Sequence, residues 1–140
     1  MEGKKALRMA MVHDGESTTL IVVEDAGRPV FWTSSGIGPK NNNPGCGNFP
    51  VKNGRVRGAG WADNDIPIPL HGFTVDGLHC PGPCPINCIN NNEAFSFHPG
   101  GVNSVFVDGA VHFLSEHIDI EVYASMITRD GDEPLGGSEF

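Results

Sequence analysis

The four cysteines are the residues best suited to chemistry in this chain. Cys80, Cys84 and Cys88 stand four apart among prolines and glycine, and Cys46 lies 34 residues before them. Thiols so placed bind zinc or form disulfides. Structural zinc sites draw on two knuckles, each with cysteines roughly two to four residues apart, and a solitary Cys46 does not make a second knuckle. An even count in a domain rich in Gly and Pro favours two disulfides, with three connectivities open. No Cys-x-x-Cys-His run offers haem attachment.

Oxygen ligands come next. Asp63 and Asp65, in Trp61-Ala62-Asp63-Asn64-Asp65, place carboxylates at alternate positions as a calcium loop does, without the rest of an EF-hand. Glu24, Asp25 and Arg28 fall within five residues, so the guanidinium can clamp a carboxylate in a buried polar network. Trp32, Trp61 and Phe73 are candidate platforms for a glycan or another ligand. No Gly-x-Ser-x-Gly, phosphate-cradling loop or His-Glu-x-x-His pattern occurs, so no nucleophile sits at a recognisable motif.

These residues need elements to position them. Asp108-Gly109, between two apolar runs, predicts a β-hairpin over 97–116. A two-residue turn there pairs Phe106 with Val111 and Val105 with His112, giving a core face of Val102, Phe106, Val111 and Phe113. His98-Pro99-Gly100-Gly101 reads as a type II turn leading into it. Thr18 to Glu24 is β-branched and predicts a strand, whereas Leu7 to Val12 is ambiguous between strand and short helix. The span 34–60 is rich in Gly, Asn and Pro and reads as a long loop, with a short strand near 49–51. Asp119 caps a helix over about 119–130, with Asp130-Gly131 as its stop. The fold class is α+β in one domain, 1–140: an antiparallel sheet of 18–24, 94–97 and the hairpin, with the C-terminal helix packed on it.

Charge narrows the partners. From Gly58 to Thr128 there are eight carboxylates and no Lys or Arg, while eight of the nine basic residues precede Gly58. An anionic half of this kind repels phosphate backbones and argues against nucleic acid. Leu20 to Val23, the longest apolar stretch, is too short to span a bilayer, and no signal-peptide pattern opens the chain.

His98, nine further residues and then Asp108-Gly109 resemble the C-terminal signature of a bacterial family abundant in planctomycetes, whose members are similar to type II secretion pseudopilins and carry a prepilin-type N-terminus. Glu24-Asp25-Ala26-Gly27-Arg28-Pro29, Gly60-Trp61-Ala62-Asp63, Gly82-Pro83-Cys84 to Cys88, and Ile127-Thr128-Arg129 agree with it. The resemblance implies a pilin-like globular head without the N-terminal helix, and a structural motif made of His98, Pro99, Gly100, Gly101, Asp108 and Gly109. It raises a His98–Asp108 dyad, which is weighed against a histidine hydrogen-bonded at a turn and an aspartate explained by turn chemistry. It also implies that Cys84 pairs with Cys88, which leaves Cys46 for Cys80. Calcium at Asp63 and Asp65 follows by analogy with pseudopilins; no other cofactor is implied. The expected function is a non-enzymatic extracytoplasmic subunit that self-associates or meets other pilin-like subunits, with no membrane contact by this portion. The alternatives are a secreted glycan- or ligand-binding module and, third, a metal-dependent hydrolase using His98.

Overall fold

A computed structural model describes residues 8–58 and 68–131. In chain order its elements are β1 (Leu20–Val23), β2 (Trp32–Thr33), β3 (Gly36–Ile37), β4 (Gly101–Phe106), β5 (Val111–Ser115) and α1 (Ile120–Ile127). β1, β4 and β5 form an antiparallel sheet in that order, and β2 and β3 form a separate small hairpin. This is the expected α+β class, with the C-terminal helix against the sheet. Met9–Met11 resolves the ambiguous first segment as a 3-10 turn without buried residues.

The signature hairpin forms, one residue out of the expected register. Val105 pairs with Val111, and Val102 with Leu114. The Gly109 N–H donates to Phe106 O and the Phe106 N–H to Ala110 O, each at 2.9 Å, so the loop holds three residues rather than two. Only Gly109, at φ +86°, takes the left-handed conformation. Asp108 stays out of it and accepts from the Ala110 N–H at 2.8 Å instead. A three-residue loop closed by a left-handed glycine is the G1-bulge solution. The slip reverses β5, because strand side chains alternate between faces. Val102, Ser104, Phe106 and Leu114 are buried, while Val111 and Phe113 point outward.

Two other expectations change. Residues 94–97 do not add a strand: Ala94 and Phe95 make single parallel bridges, to Ile86 and Asp25. Beyond them the Ser96 N–H is taken by Asn87 Oδ1 at 2.8 Å, which starts the turn into β4. The helix ends at Ile127, short of Asp130-Gly131. There the Thr128 hydroxyl reaches Asp14 Oδ2 at 3.1 Å, and the Gly131 N–H donates to the same carboxylate. Asp119 caps the other end through the Glu121 N–H, at 2.8 Å.

The long loop is better ordered than its composition suggests. Lys52-Asn53-Gly54-Arg55 is a tight turn with Asn53 at φ +53° and Gly54 at φ +71°, the type I′ pattern that Asn-Gly favours. The expected strand near 49–51 is reduced to one bridge, between Val51 and Asn42. A second apolar cluster under the loop contains Phe31, Val51, Val56, Phe73 and Ile89, separate from the sheet–helix core of Val102, Phe106, Leu114, Tyr123 and Met126.

What joins the loop to the rest is a buried polar run, Asn90 to Glu93. Asn90 Oδ1 accepts from the Trp32 N–H at 2.9 Å, and its amide donates to Ala26 O and Val30 O at 3.1 and 2.8 Å. Asn91 donates to Phe49 O at 2.7 Å. Side-chain amides here do what a neighbouring strand does elsewhere, satisfying buried backbone groups.

Candidate recognition cleft

An open cleft of about 730 Å³ lies where four segments meet: the β2–β3 hairpin, the cysteine loop, the 95–100 turn and the 116–118 segment after β5. Its geometry begins with the disulfides. Cys46 bonds Cys80, and Cys84 bonds Cys88, the connectivity that the resemblance implies. The smaller ring encloses Asn87, which sits at φ +61°, a conformation that Asn tolerates better than most side chains. Held there, Asn87 accepts from the Ser96 N–H and donates to Glu116 Oε2 at 3.1 Å. The short disulfide loop thereby sets a half-buried carboxylate into the cleft wall.

Aromatic rings also line the cleft. Trp32 and Phe97 meet edge to face at 5.0 Å, and Phe95 and Phe97 at 5.7 Å. A side chain at Gly27 would collide with the Trp32 ring, its Cβ 2.6 Å from Cδ1, so this glycine gives the indole its place. Trp32 is thus the one proposed platform that the structure puts at a surface cavity. Phe73 is fully buried in the second core, which overturns its role as a platform, and Trp61 lies outside the described residues.

His98 sits at the turn, where its backbone N–H donates to Ser96 Oγ at 3.0 Å, and its mostly exposed ring belongs to the rim of this cleft. Its Nε2 is 3.5 Å from Glu24 Oε1. Burial pushes the Glu24 carboxyl up, but the Asn103 backbone and side-chain N–H groups and His98 outweigh it, and the carboxyl sits below the usual carboxylate range. Asp108 lies at the far end of β4, so the structure does not bring His98 and Asp108 together. Pro99 and Gly100 shape the turn, with Gly100 at φ +88° as a type II turn needs, and Gly101 opens β4.

The Asp25–Arg28 pair forms as expected, at 2.6 Å with both side chains buried. Arg28 also donates to Asn90 O at 2.9 Å, Arg57 O at 3.0 Å and Asn92 Oδ1 at 3.2 Å, which makes it a structural clamp. Burial, countered by Arg28, raises the Asp25 carboxyl to about 7. Glu93, 3.0 Å from His71 Nδ1, is raised by burial to about 9. Among the described residues no three His, Cys, Asp or Glu side chains converge as a metal site, and Asp63 and Asp65 lie outside those residues.

Asn87, Asn90, Glu93 and Glu116 escape a motif-based reading. The only available signals were an Asn inside a short Cys-to-Cys ring and a polar run between apolar segments.

These features define a disulfide-bonded α+β domain with an aromatic-walled cleft. The chain belongs to the family described as protein of unknown function (DUF1559), whose model matches residues 1–121. No curated protein and no solved structure matches the chain. No helix among the described residues is long and apolar enough to cross a membrane.

Proposed function

We propose that this domain is a non-enzymatic structural subunit of pseudopilin-like type, working outside the cytoplasm through contacts with its own copies or with other pilin-like subunits. The outer face of the sheet carries this reading. Val22, Val105 and Val111 line up across β1, β4 and β5, with Phe113 next to them. A register shift between Leu20 and Val22 accompanies exposure of both Ile21 and Val22. Val111 is 63 % exposed, and a contiguous apolar patch at a protein surface marks an interaction site. Two disulfides support an oxidising compartment.

Sedimentation velocity over a wide concentration range tests the reading. The expected result is reversible association that persists in high salt, as apolar contact does, and that Val111→Asp abolishes. A strict monomer at every concentration and salt level overturns self-assembly through this face. The aromatic cleft favours a second role, as a ligand-binding module.

A further inference from the structure

We infer that the cleft beside Trp32 is a recognition site for a basic side chain, arginine or lysine, presented on an extended apolar segment of a partner polypeptide. The inference is independent of the sheet face and of assembly through it. Its volume of about 730 Å³ falls within the range of ligand pockets. Three properties of the lining select the occupant.

The first is charge. The lining contains the Glu116 carboxylate and no Lys or Arg. All of the lining after Gly36 comes from the half of the chain that has no Lys or Arg, Gly58 to Thr128, with His98 and His117 as its titratable nitrogen bases. An anionic ligand finds no fixed countercharge here. The second is the placing of that carboxylate. Asn87 Nδ2 holds Glu116 Oε2 at 3.1 Å, and Asn87 is itself fixed by Ser96 and by the Cys84–Cys88 ring. A carboxylate with a fixed orientation spends little entropy in meeting a cation.

The third is the aromatic wall. Trp32 stands nearly perpendicular to Phe97, and Phe97 to Phe95, and all three rings line the one cleft. Aromatic faces attract guanidinium and ammonium groups, and tryptophan does so most strongly. Exposed Val75 and Phe97 extend the wall as apolar surface for the residues on either side of the basic one. A neutral glycan would use the rings and could donate hydroxyls to the carboxylate, but it would leave the charge uncompensated. A peptide with a basic centre and apolar flanks uses both.

The test is an NMR titration of the full, oxidised, 15N-labelled chain. The probe is a blocked pentapeptide with arginine at its centre and leucine on both sides. The controls are the same peptide with citrulline, which is neutral and nearly isosteric, and a neutral cello-oligosaccharide. The expected result is shifts at the Trp32 indole and the Asn87 side-chain amide with the arginine peptide. Citrulline should weaken binding by about tenfold, as loss of a charge-assisted bond does. Glu116→Gln should do the same, whereas Glu121→Gln, on the exposed side of α1, should bind as the parent chain does. Equal binding of the arginine and citrulline peptides overturns the proposal without recourse to any variant. So does a response to the oligosaccharide alone, or no response to any probe at millimolar concentration.

Discussion

At the scale of single residues, two buried carboxyls set an expectation for pH. Asp25 and Glu93 hold their protons to about 7 and about 9 in the folded chain, above their ordinary values of 3.8 and 4.5. The folded state therefore binds more protons than the unfolded state between those limits. Their contribution to stability is complete below the ordinary values and is lost as pH rises through the folded ones. The denaturant midpoint should fall between about pH 5 and about pH 9, and Glu93→Gln, neutral throughout, should flatten that fall. An unchanged slope in the variant would assign the titration elsewhere. The Asp25–Arg28 pair was legible in the sequence because opposite charges three apart can meet locally. Glu93 was not, since its burial depends on loops that close around it from distant parts of the chain.

At the scale of elements, the hairpin shows how a correct motif can carry a wrong register. Asp108-Gly109 marks the reversal, but the sequence leaves open whether two or three residues make the loop. The Asp108 side chain decides, because bonding to the Ala110 N–H keeps its own backbone out of the left-handed region. Gly109 alone carries that conformation. Gly109→Ala should cost about 1–2 kcal/mol in chemical denaturation, the price of a left-handed alanine. A two-residue loop, with both positions left-handed, predicts that Asp108→Gly relieves strain and stabilises, whereas the observed loop predicts a loss of about 1 kcal/mol as the bond to the Ala110 N–H goes. Comparing the two variants checks the register directly. Strand β1, the capped helix and the separate turn before β4 were readable from local pattern, whereas residues 94–97 looked like a strand because Ala94 and Phe95 are buried and Phe97 lines the cleft.

Across the whole molecule, stability is divided between a sheet–helix core and a loop-borne core, and the Cys46–Cys80 bond ties the second together. It closes a loop with a sequence separation of 34, for which chain entropy gives about 4 kcal/mol. Replacing both cysteines with serine should lower the melting temperature strongly; loss of well under about 1 kcal/mol would place the stabilisation in the surrounding polar contacts instead. The sequence announced this bond through cysteine count and resemblance. It gave little sign of the cleft, because a cleft is a product of where four segments stop. The Asn90 run adds a matter of timing. A polypeptide is made from its N-terminus, and the backbone groups of Ala26, Val30 and Trp32 are served by a side chain about sixty residues later, with separations of 64, 60 and 58. The segment from Ala26 to Trp32 therefore emerges with these partners still unsynthesised. The native bonds of that segment wait for Asn90, and a nascent chain stalled before it would leave the segment open to proteases.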